Sequence, residues 1–158
     1  MNDMKSLQEH RELCQLRDKE FLKLYRPTLD ALLERGVPLS KARRAAADFT
    51  IANGHPHYHV SHERAYRCVC HLLNADDKRG NGARTYRTSE EIGLAKRRLR
   101  RQMWQEITQR VRTLMDKGLS VECAIDHVLE NCRASRFFLS PATALTKICT
   151  QVRVRALR

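Results

Sequence analysis

The 158-residue chain is predicted to be all-α, with two tandem three-helix units joined by a flexible linker and a long helix. Three observations carry that prediction. An internal repeat keeps helix-start and helix-stop residues at matching positions, apolar residues recur at helical spacing, and the strand-like pattern is limited to three-residue aromatic stretches ahead of two helices.

The repeat is organised around Arg136-Phe137-Phe138-Leu139-Ser140-Pro141-Ala142-Thr143-Ala144-Leu145. Ser140 can accept a hydrogen bond from an orphan N–H of a first helical turn, and Pro141 has no N–H to leave unsatisfied and a φ already suited to helix. Tyr58-His59-Val60-Ser61-His62-Glu63-Arg64-Ala65-Tyr66 matches it at a separation of 79, pairing Tyr58 with Phe137, Val60 with Leu139, Ser61 with Ser140, Ala65 with Ala144, Val69 with Ile148 and Cys70 with Cys149. Upstream, Leu32-Leu33-Glu34-Arg35-Gly36-Val37 matches Leu114-Met115-Asp116-Lys117-Gly118-Leu119, and Ala42 matches Ala124, at a separation of 82. The two copies are assigned to residues 1–74 and 89–158, with 75–88 as the linker.

Each element has a local reason. Lys5 to Tyr25 is charged and helix-prone, with Leu7, Leu13, Cys14, Leu16, Phe21, Leu22 and Tyr25 as its apolar face. Pro27 should kink or restart that helix, and Gly36 should stop it. Ser40 is expected to cap a helix from Lys41 to Ala52 whose inner face is Ala42, Ala45, Ala46 and Phe49. The Ser61 helix should run to Leu73. Asp76-Asp77-Lys78-Arg79-Gly80-Asn81-Gly82-Ala83-Arg84 then reads as linker. Thr88 and Glu91 form a capping box opening a long helix to Lys117 through Ile92, Ala95, Leu99, Trp104, Ile107, Val111, Leu114 and Met115. A helix over Val121–Asn131 and the Ser140 helix, running to the C-terminus, complete the second copy.

Composition points to the partner. Thirty Lys and Arg against 18 Asp and Glu give a formal charge of +12, which implies a polyanion. The imbalance is uneven: +3 over residues 1–74 (12 basic, 9 acidic) and +9 over 75–158 (18 basic, 9 acidic). No apolar run approaches the roughly 18 residues of a membrane span, and the start is polar, so a cytoplasmic protein without a membrane partner is expected. The six cysteines form no C-x-x-C pair and are expected to be small core residues with free thiols.

Leu32-Leu33-Glu34-Arg35-Gly36 through Val60-Ser61-His62-Glu63-Arg64-Ala65-Tyr66-Arg67 resembles the helix-turn-helix of resolvase-type and homeodomain-like DNA-binding domains, and Leu139-Ser140-Pro141-Ala142-Thr143 resembles the same entry. The likeness covers about 40 residues per copy, with a longer loop before the third helix than the family uses. The chain is also similar to small basic proteins of bacterial mobile elements. The resemblance implies a non-enzymatic duplex-DNA-binding accessory or transcription-regulating factor, each Ser-capped helix lying in a major groove, with RNA as the other nucleic acid to consider.

On that reading His62, Glu63, Arg64, Arg67 and His71 face outward in the first copy, and Ala142, Thr143, Thr146, Lys147 and Gln151 in the second. Arg133, Arg136, Arg153, Arg155 and Arg158 add phosphate contacts. So does Lys96-Arg97-Arg98-Leu99-Arg100-Arg101, whose cations repel one another on one helix without enough nearby acid to offset them. The competing reading is an all-α assembly subunit of a nucleoprotein complex, binding protein or itself through the N-terminal helix and the 89–117 helix.

Sharper chemistry is not expected. His55-Pro56-His57-Tyr58-His59, near His62, Cys68, Cys70 and His71, supplies zinc-ligand types, but Pro56 interrupts the one i, i+4 pair and Phe137 and Phe138 replace Tyr58 and His59 in the second copy. His57-Tyr58-His59 also resembles the histidine-hydrophobic-histidine signature of strand-nicking nucleases, which sits on a sheet. No catalytic residue, cofactor or metal is expected.

Overall fold

The computed structural model describes residues 2–78 and 94–152. Their regular elements are all helical: α1 (Asn2–Glu34), α2 (Leu39–Asn53), α3 (His62–Lys78), α4 (Leu94–Asp116), α5 (Val121–Asn131) and α6 (Pro141–Thr143). A π-helical turn (Ala144–Ile148) and a 3-10 turn (Cys149–Gln151) continue α6. No strand occurs among the described residues, and none of their helices is long and apolar enough to cross a membrane.

The repeat has a backbone counterpart. At the end of α1, Gly36 N–H donates to Leu33 O (3.0 Å) and Val37 N–H to Leu32 O (3.2 Å). At the end of α4, Gly118 N–H donates to Met115 O (2.9 Å) and Leu119 N–H to Leu114 O (3.2 Å). Both turns need a left-handed residue, and both glycines supply it, at φ +81° and +101°. The serine caps also match: Ser61 Oγ accepts from Arg64 N–H and Ser140 Oγ from Thr143 N–H, each at 3.2 Å.

The packing exchanges the third helices. One core joins Phe21, Tyr25 and Leu29 of α1 and Ala42, Ala46 and Ile51 of α2 to Phe137, Ala144, Ile148 and Cys149 from the C-terminal segment. The other joins Tyr58, Ala65 and Val69, on and before α3, to Trp104, Ile107 and Val111 of α4 and Ala124, Ile125 and Val128 of α5. The cores therefore do not follow the division into residues 1–74 and 89–158: each takes two helices from one copy and the third from the other. The connecting loops meet where Ala134 N–H donates to Pro56 O (2.7 Å) and His55 Nδ1 lies 3.1 Å from Ala134 O. His55 and Ala134 stand 79 residues apart, at matching positions of the repeat, so the two loops touch at corresponding places. At the crossing, Phe137 enters one core, edge-on to Phe21 with ring centroids 5.2 Å apart, while Phe138 packs against the other.

Several local expectations are corrected. α1 runs unbroken through Pro27: Phe21, Leu22 and Tyr25 before it and Leu29 after it bury in one core, and Lys23, whose carbonyl loses its donor, is exposed. α2 starts at Leu39 after Pro38, so Ser40 lies inside the helix and caps nothing. Phe49 and Ala45 are exposed while Ala47, Thr50 and Ile51 are buried, because the inner stripe of α2 is rotated from the expected one. Leu7 and Leu16 are exposed, since α1 overhangs its core in its first turns. α3 extends to Lys78, making the first linker residues helical; the rest of the linker, Thr88 and Glu91 lie outside the described residues. The Ser140 helix does not reach the C-terminus in α form: it loosens to π geometry at Ala144, tightens to 3-10 at Cys149 and turns extended at Val152. All six thiols are free, but Cys149 alone is buried and Cys123 is exposed, so the cysteines are not a core set.

Candidate nucleic-acid interface

The apolar stripe of α4 sets up the site. Leu114 and Met115, Val111, Ile107 and Trp104 step back along one face at three- and four-residue intervals, and Arg101, Arg100 and Arg97 are the next members of the series. Past Trp104, the face that elsewhere forms the core becomes cationic.

Opposite it stands α3. Ala65 and Val69 are fully buried, so the neighbouring Arg64, Arg67 and His71 are exposed along the helix edge. The two helices enclose a cleft of about 660 Å³ lined, among the described residues, by Arg64, Arg67, Cys68, His71, Leu72, Arg97, Arg100, Arg101 and Trp104, with no carboxylate among these. A second cavity of about 560 Å³ adjoins it at the loop crossing and shares Arg64, Arg100 and Trp104 with it. Its walls add Arg17, Arg136, Thr143, Lys147, His10 and His59, and its one carboxylate among the described residues is Asp18. Asp18 is already engaged: Oδ1 pairs with Arg17 (3.0 Å) and Oδ2 accepts from Gln151 Nε2 (3.0 Å). The result is a trough whose described lining is mostly cationic among its charged residues, which favours an anion between its walls.

The structure sorts the sequence-predicted residues. Arg64, Arg67, His71, Arg97, Arg100, Arg101, Arg136, Thr143 and Lys147 converge on the trough. Arg98 is exposed but lines neither cavity. His62 is exposed but its Nδ1 lies 2.7 Å from Asp126 Oδ1 on α5, tying α3 to that helix. Arg133 reaches His57 Nδ1 (2.9 Å), Thr146 Oγ1 donates back to Ala142 O (2.9 Å), and Gln151 holds Asp18, so these serve local structure. The Lys96 side chain, Arg153, Arg155 and Arg158 lie outside the described residues. Sequence reading missed Arg17, His10 and Trp104, which come from other elements and carry no motif, and weighed His59 only for metal or nuclease chemistry.

Carboxylates on the two long helices fix the loops beneath the trough. Glu20 accepts from the backbone N–H of His57 (3.0 Å), with His57 Nδ1 at 2.9 Å and His59 Nε2 at 3.2 Å; Glu106 accepts from Ser135 N–H (3.0 Å). Burial would raise the Glu20 carboxyl, but bonds from the His57 side chain and backbone and the pull of His59 hold it below the usual range. Burial pushes the His59 imidazole down, against the opposing pull of Glu20. Nδ1 of His57 is 2.9 Å from both Glu20 Oε1 and Arg133 Nη1: protonated it donates to the carboxylate, deprotonated it accepts from the guanidinium. Tyr58, between these histidines, points away into the α3–α4–α5 core, under the Arg110 guanidinium at 5.8 Å. The histidine run is therefore spent on tying loop to helix, and among the described residues no group of three or more His, Cys, Asp or Glu is placed to hold a metal. No protein-family model, curated protein or solved structure matches the chain.

Proposed function

We propose that the chain is a non-enzymatic nucleic-acid-binding protein, an accessory or regulatory factor that holds phosphates in the trough between α3 and the start of α4. The observation that carries this is the position of Arg97, Arg100 and Arg101 on the core-facing stripe of α4, opposite Arg64 and Arg67. A charge run that only kept a helix soluble would occupy the outer face. On the inner stripe Arg97 and Arg100 instead face Arg64 and Arg67 across a cleft, an arrangement of like charges that favours a bound polyanion. In the duplex form of the reading, α3 enters a major groove while the α4 stripe grips the flanking backbone.

The test is binding of labelled oligonucleotides, duplex and single-stranded, over a salt series. Affinity should fall log-linearly with salt, and replacing Arg64, Arg67, Arg97 and Arg100 together by Ala should weaken it by about 100-fold or more at low salt and flatten the slope. Arg98→Ala, outside the trough, should change it by no more than about threefold. No binding at low salt would end the reading.

A second reading, an assembly subunit, is favoured by the overhang of α1, where Met4 is 76%, Leu7 58% and Leu16 52% exposed. Measuring mass in solution with and without nucleic acid separates the two: a self-associated state lost on Leu7→Lys would support it.

A further inference from the structure

The shape of the trough says more than its charge. The two adjoining concavities, about 660 and 560 Å³, are each of the size that takes a small organic ligand, not the girth of a double helix. Their lining mixes two kinds of surface. Leu72 and the small exposed part of Trp104 offer apolar surface, and Arg64, Arg67, Arg97 and Arg100 stand around them. A flat base with a phosphate on either side needs that combination, because its faces are apolar and its backbone is anionic. In a duplex, by contrast, the base faces are stacked away and only edges and phosphates are offered.

Continuity is the second observation. Arg64, Arg100 and Trp104 line both cavities, so the α3–α4 cleft and the space at the loop crossing, whose lining includes Lys147, adjoin at these side chains. An isolated pocket would hold one nucleotide, whereas two pockets joined by shared cations hold successive nucleotides of a strand.

We propose that the trough binds an unpaired nucleic acid strand, its bases entering the two cavities beside Trp104 and its phosphates held by the surrounding arginines. This rests on the nucleic-acid-binding reading and narrows it. Trp104 is the only tryptophan of the chain and is 7% exposed, with its open edge on the trough, so its emission reports occupancy of this site without a label.

The experiment uses the full chain with ribo- and deoxy-oligonucleotides of about 15 nucleotides, the matching duplex, and a free mononucleotide. Oligonucleotide anisotropy and Trp104 emission are read together. The single strand should bind about tenfold or more tighter than the duplex and quench Trp104, ribo- and deoxy-forms reporting which sugar is preferred. Replacing Arg64 and Arg100, both exposed, by Ala should abolish the quenching while helical circular dichroism is unchanged. Duplex binding as tight as single-strand binding, or strand binding that leaves Trp104 emission untouched, overturns the strand assignment and leaves the broader reading standing. Equal quenching by the mononucleotide at the same concentration also overturns it, in favour of a nucleotide pocket. Absence of binding to every oligonucleotide removes both.

Discussion

The two third helices of the repeat differ more than their sequences suggest. α3 and the C-terminal segment begin on a serine cap of the same geometry and bury the same pair of positions, Ala65 with Val69 and Ala144 with Ile148, all fully inaccessible. Beyond the buried pair they part. α3 stays α-helical for 17 residues and holds its arginines against the cationic start of α4, whereas the C-terminal segment changes helical pitch twice and uses Thr143, Thr146 and Gln151 for bonds within the molecule. The two segments share what the cores require and differ in their outward chemistry, so equivalence of position licenses inference about packing and not about binding.

The largest expected effect tests the exchange itself. Ile148→Ala removes a fully buried side chain and should cost about 2–5 kcal/mol, with Val69→Ala somewhat less. In native-state hydrogen exchange, Ile148→Ala should lower protection in α1 and α2, and Val69→Ala in α4 and α5. If each change instead loosened the two helices that precede its own third helix, the exchanged cores would be wrong.

A smaller effect probes the crossing. Gly54 is buried where a Cβ would overlap the Phe137 ring and lie 2.8 Å from Thr50 O. Its φ is ordinary, so the requirement is space and not conformation. Gly54→Ala should therefore cost about 1–3 kcal/mol in denaturant melts, and Phe137→Leu in the same chain should recover part of it.

The smallest effect probes the Glu20 loop staple. The Glu20 carboxyl is held below its ordinary value in the folded chain, so its contribution is complete above the unfolded value near 4.5 and is lost as pH falls through the lower folded value. His59 is also held low, by burial, so the unfolded chain takes up its proton first and stability starts to fall as pH drops below about 6.5. Thermal melts from pH 7 to pH 4 should show a decline that Glu20→Gln makes shallower at its acid end.

What was legible in the chain followed from how local the cause was. The serine caps at Ser61 and Ser140 and the glycine stops at Gly36 and Gly118 each depend on residues within one turn, and they stand where they were read. The inner face of α2 was misread at Phe49 because alanines mark close approach without saying from which side. Ser40 was misread because Pro38 already supplies a start two residues earlier. For the site, Arg64, Arg67, Arg97 and Arg100 were read as two separate features, and nothing along the chain puts α3 beside α4.

By itself the sequence determined a helical chain, its internal repeat, its serine caps and glycine stops and the surplus of cations, because each is set by periodicity, capping or composition. The tertiary structure alone decided which third helix completes which core. Both cores accept an alanine and a branched aliphatic four residues apart, so local pattern does not choose between them, and the choice falls to the loops crossing at His55 and Ala134. That choice also made the trough, since it sets the arginines of α3 beside those of α4 instead of beside α1 and α2.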